Sequence, residues 1–274
     1  MKITSVLFLV PLLALTISCG KTGRSSGKKY TKLTEEQIQT IMDNQQMDCA
    51  GIGGRSCPEG VVRILTLNKL QAEKSTVCSG FMVSKTTMVT NHHCVSTATE
   101  CSNSYLAIYD GYNNVQSKCK RIIKAREDYK NERDSRRAVD FAVIEIEDEF
   151  NGNTFSLAAN RASPGDTVTA WVVDHTGLDR KVEEEQNPFQ SRVTEFSCKV
   201  ANQTDSASLG LNNCPIIYGN SGSPLVNTAG EIVGVIWGAT RPDINSNTAL
   251  TTRRATVAEG LATEMFHFEP YTKL

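Results

Sequence analysis

Residues 212–238 read NNCPIIYGNSGSPLVNTAGEIVGVIWG, and the hexapeptide GNSGSP lies at 219–224. Gly219 and Gly222 enclose Ser221 shortly before an apolar run that predicts a buried strand. Glycines in this pattern allow a tight backbone that aims N–H groups at the serine hydroxyl, as an oxyanion hole requires. A crowded turn between two strands would use the same residue types. The hexapeptide alone leaves both interpretations open.

The composition is that of an ordinary globular protein. Of 274 residues, 22% are charged and 39% are hydrophobic, and the formal net charge is −1. A chain of this length can build one large domain or two small barrels. Because there is no basic excess to neutralise phosphates, the composition argues against nucleic-acid binding.

From residue 60 onward the sequence is a succession of short, strand-like segments. They are rich in β-branched and apolar residues and are bounded by Gly, Asn, Asp or Pro: VVRILTL, GFMVS, TMVTN, YLAIY, FAVIEIE, DTVTAWVV, PLVN and EIVGVIWG. No helical pattern repeats between them, which disfavours a parallel sheet with crossover helices. The pattern predicts an all-β domain made of antiparallel barrels or a sandwich.

Two helices are predicted, one near each end of the chain. In the first, Thr34 is the N-cap, Gln37 completes a capping box, and a hydrophobic staple joins Leu33 to Ile38. The tail TVAEGLATEMFHF, residues 256–268, predicts a C-terminal helix because apolar side chains recur at helical spacing. These side chains are Val257, Leu261 and Met265.

The N-terminus resembles a bacterial lipoprotein signal. Lys2 precedes the apolar run VLFLVPLLAL at 6–15, which is too short to span a bilayer and is interrupted by Pro11. Small and apolar residues then lead to Cys19, which the resemblance makes the lipid-attachment residue. Cleavage by an ordinary signal peptidase, with Cys19 incidental, is the alternative.

The cysteine count also suits an exported protein. Of nine cysteines, eight remain when Cys19 is set aside, and this even number allows four disulfides. No CxxC pair and no suitable histidine spacing is present, so a structural zinc site is not expected. Closure of the shortest loops predicts the pairs Cys49–Cys57, Cys101–Cys119 and Cys198–Cys214.

Two further segments carry side chains suited to acyl-transfer chemistry. The segment CSGFMVSKTTMVTNHHCV, residues 78–95, places His92 and His93 at the end of a predicted hairpin. A histidine there is either a general base or a polar residue at a strand end. The segment RRAVDFAVIEIE, residues 136–147, opens a strand at Asp140, which either orients an imidazole or is an ordinary strand-start aspartate.

The candidate nucleophile is Ser221. Ser223 is its rival, but it precedes Pro224 and lacks a flanking glycine on that side. Histidine, aspartate and serine follow one another with separations of 47 and 81 residues, each in a specific context. Three unrelated turn or strand-end residues are unlikely to reproduce this order by chance.

Together the motifs resemble those of the chymotrypsin-like (trypsin-fold) serine proteases over about residues 60–274. TNHHC matches the histidine motif of that family, VDFAVIEI the aspartate motif and GNSGSP the nucleophile motif. The resemblance implies two packed antiparallel six-stranded β-barrels. It also implies a catalytic triad of His93, Asp140 and Ser221.

The same resemblance implies roles for further residues. The backbone N–H groups of Gly219 and Ser221 would bind the oxyanion, and Cys78 would pair with Cys94 beside the histidine. GVIWG resembles the strand that lines the substrate cleft. The substrate-binding residues expected on this basis are Pro215, Ile216, Ile217, Ile236, Trp237 and Gly238.

Three departures from relatives refine this interpretation. The vertebrate digestive enzymes carry an aspartate where this chain has Asn220, and that aspartate forms an ion pair with a new N-terminus after cleavage. Because asparagine cannot form this ion pair, we expect a site that is preformed in this chain. GNSGSP and GVIWG are closest to the bacterial glutamyl-endopeptidase branch, but Ile236 replaces the histidine that helps bind glutamate there. Apart from Asp243, no acid is near the expected pocket floor, so we expect a small or medium apolar residue before the scissile bond.

The chain is thus interpreted as a signal peptide at 1–18, a lipid-attachment cysteine, flexible tether and short helix at 19–48, and a chymotrypsin-like protease domain at 49–274. We expect an exported serine endopeptidase that is lipid-anchored in the bacterial envelope, at the outer membrane or cell surface, and otherwise periplasmic or secreted. Its expected partners are a polypeptide substrate and the membrane. No nucleic acid, metal or organic cofactor is expected, and the protein is expected to be a monomer.

Two other functions stay open at this point. One is a catalytically silent module that keeps the barrels and binds peptides by strand addition. The other is an esterase that uses the same three residues. An α/β-hydrolase is disfavoured because no nucleophile elbow between a strand and a helix is present.

Overall fold

The computed structural model describes residues 33–43, 45–51, 54, 56–70, 75–128, 139–175, 190–201, 208–240 and 259–273. The predicted signal peptide, Cys19, the tether, Asp243 and Val257 lie outside the described residues. In chain order the elements are α1 (Glu35–Asp43), β1 (Gln46–Ala50), β2 (Val61–Thr66), β3 (Thr76–Met82), β4 (Thr87–Thr90), α2 (Ala98–Ser102), β5 (Ser104–Tyr109), β6 (Asn114–Asp128), β7 (Val139–Ile146), β8 (Thr167–His175), β9 (Gln190–Val200), β10 (Ser208–Asn212), β11 (Pro224–Val226), β12 (Ile232–Thr240), β13 (Glu259–Glu264) and two 3₁₀ helices, Met265–His267 and Glu269–Tyr271.

The first barrel is closed by six antiparallel strands in the order β2-β3-β4-β7-β6-β5. Alternate side chains of each strand point to opposite faces, so Val62 and Ile64 of β2 enter the barrel core. Their neighbour Val61 instead joins the apolar layer that contains residues of both barrels.

The second barrel consists of β8-β9-β10-β13-β12-β11, and pairing of β8 with both β9 and β11 closes it. The predicted fold class, with two six-stranded antiparallel barrels, is therefore confirmed. Strand β1, which spans the segment boundary expected at residue 49, adds to this barrel as a parallel neighbour of β9. No helix in the described ranges is long and apolar enough to cross a membrane.

A shared apolar layer joins the barrels. Phe81 and Phe141 from the first barrel are buried in one cluster with Trp171, Val173 and Val193 from the second. Burial of large apolar side chains at this junction fixes how the barrels sit on each other. Loops that leave the strands at the junction can therefore present side chains to one another with little freedom.

The predicted N-terminal helix is confirmed as α1. The Thr34 hydroxyl accepts a hydrogen bond from the Gln37 N–H at 3.2 Å, and the Gln37 side chain accepts one from the Thr34 N–H at 2.9 Å. Leu33 and Ile38 are buried in one cluster with Leu65 of β2. The capping box thus fixes the start of α1, and burial of the staple residues docks the helix on the first barrel.

The predicted C-terminal helix is wrong in detail. Leu261 lies in strand β13, which pairs with β10 and β12, and Met265 begins a short 3₁₀ helix. A spacing of four residues also places two side chains on one face of a strand, because four is a multiple of the strand period of two. Strand pairing on both sides of β13 then decides the conformation.

All four predicted disulfides are present. They are Cys49–Cys57, Cys78–Cys94, Cys101–Cys119 and Cys198–Cys214. Their Cα–Cα separations of 4.8–6.1 Å fall within the range that a disulfide bridges without backbone movement. The Cys78–Cys94 bridge ties β3 to the turn that carries His93.

Candidate active site

The histidine turn follows β4 and is held by its own backbone and by a disulfide. The N–H groups of Cys94 and Val95 donate to the Asn91 carbonyl at 3.2 and 3.3 Å. The Asn91 side chain, which is fully buried, donates from Nδ2 to the Asp140 carbonyl at 2.8 Å. The position of His93 is therefore set by contacts on both sides of it.

His93 and Asp140 form a close pair. His93 Nδ1 lies 2.5 Å from Asp140 Oδ2, and the other carboxylate oxygen accepts the N–H groups of His92 and His93 at 2.7 and 3.3 Å. The Asp140 side chain is 0% exposed and that of His93 is 35% exposed. An ionised carboxylate can only accept, so Nδ1 is the donor in this contact, and a neutral His93 ring then carries its lone pair on Nε2. This is the tautomer that a general base needs.

The second histidine has a different environment. His92 Nδ1 lies 3.0 Å from Glu127 Oε2 in β6, close enough for an ion pair but without the alignment of a hydrogen bond. Only the backbone N–H of His92 reaches Asp140. The structure therefore brings His93 and Asp140 together through their side chains and leaves the His92 ring outside that pair.

Ser221 lies in the loop before β11, on the second barrel. Its carbonyl accepts the Ser79 N–H at 2.7 Å, and the Ser79 hydroxyl donates to the Gly219 carbonyl at 2.8 Å. Cys94 Sγ is 4.0 Å from the Ser221 carbonyl oxygen. These contacts place the serine loop against the histidine turn of the first barrel.

The polar groups around the Ser221 side chain are only weakly engaged. Its Oγ donates to the Trp237 carbonyl at 3.5 Å, at the limit of a hydrogen bond. Within the described ranges, neither the Gly219 N–H nor the Ser221 N–H donates a hydrogen bond. Both N–H groups are therefore available to an oxyanion beside the serine.

Glycine is required on the far side of the nucleophile. Gly222 has φ +90°, and a Cβ there would lie 1.9 Å from the Ser79 carbonyl oxygen. Its N–H donates to the Ile236 carbonyl at 2.7 Å. A side chain at this position would push the serine loop away from the first barrel.

Asn220 holds the other side of the loop as a neutral group. It is fully buried, its Oδ1 accepts the Ile217 N–H at 3.0 Å, and its Nδ2 donates to the Val173 carbonyl at 3.1 Å. Nδ2 also lies 3.4 Å from Asp174 Oδ1. These side-chain contacts support a serine loop that is formed without an ion pair to a new N-terminus.

One cluster has the composition of a metal site but not its chemistry. Ligand atoms of Cys78, His93 and Cys94 lie within 4.8 Å of one another. The two sulfurs are bonded at 2.00 Å, so neither can act as a thiolate ligand. The short distances show instead that the Cys78–Cys94 disulfide lies close to the His93 imidazole.

Sequence comparison identifies the family. The profile of the trypsin-like peptidase domain matches residues 78–235, which is more than half of the chain and includes His93, Asp140 and Ser221. The chain belongs to the trypsin-like peptidase family. No curated protein matches the sequence significantly.

Solved structures share the fold of this trypsin-like peptidase at low identity. The scabies mite inactivated protease paralogue S-D1 is 14% identical with a TM-score of 0.54, and 80% of this chain and 94% of that chain are covered. The paralogue S-I1 from the same mite is 13% identical with a TM-score of 0.52, and the coverage is 77% and 91%. The active form of the Rv3671c protease from M. tuberculosis is 14% identical with a TM-score of 0.50, and the coverage is 93% and 92%. Since the mite proteins are described as inactivated, the shared fold does not establish activity.

The rival serine of this trypsin-like peptidase is inaccessible. Ser223 is 0% exposed, its N–H donates to the Asn220 carbonyl at 3.1 Å, and its carbonyl accepts the Ile236 N–H at 3.0 Å. Ser221, in contrast, is partly exposed. Only Ser221 can meet a substrate in this conformation.

The predicted substrate-binding residues are not all at the surface. Ile216 and Ile236 belong to the core of the second barrel, where they support the serine loop rather than face solvent. Trp237 packs on Leu261, and Pro215 and Gly238 are partly exposed. Ile217 is 8% exposed.

Some site residues were missed by the sequence analysis. Thr263 and Asn91 both contact the backbone of Asp140, and Ser79 positions the serine loop. Asn91 lies inside the TNHHC motif and could have been suspected there. Thr263 is far from every motif, and nothing in its local sequence marks it.

Burial shifts the pKa of two charged groups in the described chain, Glu264 and Arg63. Burial raises the pKa of Glu264, the neighbour of Thr263, although Arg161 Nε at 3.6 Å opposes the shift. Burial likewise lowers the pKa of Arg63 in β2 to about 10. Both are effects of desolvation on a charged group packed between strands.

Proposed function

We propose that the protein is a serine endopeptidase that hydrolyses peptide bonds through an acyl-enzyme. The observation that carries the proposal is the 2.5 Å contact between the buried Asp140 carboxylate and Nδ1 of the partly exposed His93, an arrangement that suits a general base. Ser221 supports it, because its loop abuts the histidine turn and its hydroxyl makes a single long hydrogen bond within the described residues. The three residues fit the roles of the serine-protease triad.

In the first half of the proposed reaction, Ser221 Oγ attacks the carbonyl carbon of the scissile bond. His93 Nε2 takes the hydroxyl proton, and Asp140 stabilises the imidazolium that forms. The negative charge on the carbonyl oxygen is met by the N–H groups of Gly219 and Ser221. His93 then returns the proton to the leaving amine, the C–N bond breaks, and the acyl group stays on Ser221.

Water completes the second half. His93 Nε2 takes a proton from the water as its oxygen attacks the acyl carbon, and the same two N–H groups bind the new oxyanion. The bond between the acyl carbon and Ser221 Oγ breaks, and His93 returns the proton to Oγ. Asp140 holds the imidazole orientation throughout.

For substrate choice we propose a small or medium apolar residue before the scissile bond, in an enzyme related to the glutamyl-endopeptidase branch. GNSGSP and GVIWG support that relationship, and Ile236 argues against a glutamate preference. Ile217 and Trp237 are apolar, and 8% and 9% of their surface is exposed. A peptide-library profile dominated by Lys or Arg, or by Glu or Asp, would overturn this specificity.

The activity is tested by cleavage of a peptide library followed by mass spectrometry of the products. The wild type should cleave, and Ser221→Ala should leave every peptide intact while keeping its thermal transition. Ser223→Ala is the matched control, because it removes a buried hydroxyl two residues away and should keep cleavage. Activity that survives Ser221→Ala, or that is lost only in Ser223→Ala, refutes the proposal.

A catalytically silent peptide-binding module is the second candidate. The similarity in fold to the inactivated mite proteases favours it. The two candidates differ in one outcome, since a silent module would bind peptides from the library and release them whole. The intact His93–Asp140 pair is the reason to rank it second.

We further propose that the protein is exported and held in the bacterial envelope by lipid on Cys19. The apolar run and the lipobox-like residues before this cysteine support the proposal, and four disulfides suit an oxidising compartment. Fractionation of cells that express the full precursor tests it. Wild type should partition with membrane and Cys19→Ser should not; equal partitioning of both would contradict lipid attachment.

A further inference from the structure

Thr263 makes two hydrogen bonds to one residue, Asp140. Its Oγ1 accepts the Asp140 N–H at 2.9 Å and donates to the Asp140 carbonyl at 3.2 Å. Both residues are fully buried. A threonine hydroxyl has one proton to donate, and here that proton goes to the backbone of the proposed triad aspartate.

The bonds cross the junction between the barrels. Asp140 lies in β7 of the first barrel and Thr263 in β13 of the second. Although the two residues are 123 positions apart, the hydroxyl fixes the backbone of one barrel against the other at this point. Asn91 Nδ2, from the histidine turn, donates to the same carbonyl.

Thr263 is also linked to the serine loop through its own sheet. It is opposite Val235 in the β12–β13 pair, next to Ile236. The Ile236 carbonyl accepts the Gly222 N–H at 2.7 Å, directly after Ser221. A short path of hydrogen bonds, strand pairing and covalent bonds therefore runs from Asp140 to the residue after Ser221 and does not pass through the imidazole.

We propose that Thr263 is a positioning residue that sets Asp140, and through it the His93 ring, relative to Ser221. This inference rests on the proposed function. Without the hydroxyl, a buried N–H loses its acceptor and the aspartate backbone can shift. Because proton transfer depends on alignment, a shift of a fraction of an ångström in the imidazole should slow the reaction.

The test compares two substitutions at Thr263 with a control. Thr263→Val keeps the shape and removes the hydroxyl, whereas Thr263→Ser keeps the hydroxyl and removes the methyl group. Thr272→Val is the matched control, because Thr272 is also buried and its Oγ1 donates to a backbone carbonyl, that of Glu269, at 2.8 Å.

We expect Thr263→Val to lower kcat roughly 10- to 100-fold with KM nearly unchanged. Thr263→Ser and Thr272→Val should keep kcat within about threefold of wild type. The first variant keeps the hydroxyl, and the second removes a hydroxyl that bonds Glu269 and not Asp140. The proton between His93 Nδ1 and Asp140 Oδ2 should give a far-downfield NMR resonance in wild type and in Thr263→Ser, and it should be weakened or moved in Thr263→Val. A merely structural role would lower stability without moving this resonance.

The inference is overturned if Thr263→Val keeps wild-type kcat, or if Thr263→Ser loses as much kcat as Thr263→Val. If Thr263→Val fails to fold, Thr263→Ser still tests the inference. Loss of kcat in Thr263→Ser would show that the methyl group matters and not the hydroxyl, and would overturn it. Failure of the proposed function is distinguishable, since wild type itself would then show no cleavage.

Discussion

The turn that carries His93 and the loop that carries Ser221 are built in opposite ways. Around His93, the Asp140 carboxylate accepts two backbone N–H groups and lies 2.5 Å from the imidazole. The Ser221 hydroxyl makes one hydrogen bond, at 3.5 Å, in the described chain. The N–H groups of Gly219 and Ser221 donate no hydrogen bond there.

In the proposed reaction this difference separates the parts of the site that must stay fixed from those that must react. His93 and Asp140 would keep their geometry through the cycle, and their hydrogen bonds are made within the protein. The Ser221 hydroxyl and the proposed oxyanion donors would exchange partners at every step, and the fold holds their backbone while leaving these polar groups available. Four substitutions can break or sharpen this comparison.

The largest effect is expected at the base. His93→Ala should lower kcat on the order of 10⁶-fold, because the serine loses its proton acceptor. His92→Ala is the matched control one residue away and should change kcat by about twofold or less, since its ring lies outside the pair. Steady-state kinetics on one peptide checks both, and equal losses in the two variants would contradict the choice of His93.

Asp140→Asn should come next. The amide keeps the shape of the side chain, but it can donate to Nδ1 and so favour the wrong imidazole tautomer. A loss of kcat of about 10⁴-fold is expected, by analogy with the same change in the Ser-His-Asp triad of serine proteases. The thermal transition should move little. A variant that retains wild-type kcat would show that the 2.5 Å contact is not used in catalysis.

Asn220→Ala tests the serine loop. Loss of the side-chain bonds to Ile217 and Val173 should let the oxyanion donors drift, with a loss of kcat of about 10²–10³-fold, similar to the removal of one donor. Asn220→Asp should lose stability as well, because it buries a charge near Asp174. Kinetics with chemical denaturation separates the two effects, and full activity in Asn220→Ala would show that the loop stays formed without this amide.

The smallest effect on kcat is expected from the disulfide beside the base. Replacing Cys78 and Cys94 together by serine should cost about 2–4 kcal/mol of the free energy of unfolding. Some loss of kcat should follow, because the bridge ties the His93 turn to β3. The matched double change at Cys49 and Cys57 should affect stability without this loss. If both double variants keep the same kcat, the bridge does not help to orient the base.

The site was predictable from sequence where its chemistry lies in short motifs. TNHHC, VDFAVIEI and GNSGSP each carry a candidate reactive side chain together with its neighbours, so the family resemblance predicted His93, Asp140 and Ser221. The structure pairs the first two and places the loop of the third against the histidine turn. Strand periodicity predicted an all-β domain and short-loop closure predicted three of the disulfides. The family resemblance implied the two barrels and the Cys78–Cys94 bridge, and the structure confirms both.

What the sequence could not predict depends on long-range packing. Thr263 meets Asp140 only because two barrels dock, and no local pattern records that contact. From sequence, an isoleucine at 216 or 236 suits either a substrate pocket or a barrel core. The structure buries both Ile216 and Ile236 in the core of the second barrel. The tail around Leu261 had helical spacing, yet pairing with β10 and β12 makes it a strand.

Labelling by a fluorophosphonate probe tests the central claim most directly, because the probe reacts only with a serine that a base activates. Wild type should be labelled at Ser221, as mapped by mass spectrometry of the modified peptide. Labelling should disappear in Ser221→Ala and in His93→Ala, while both variants keep the wild-type thermal transition. Absence of labelling in the folded wild type, or a label on Ser223, would contradict the account.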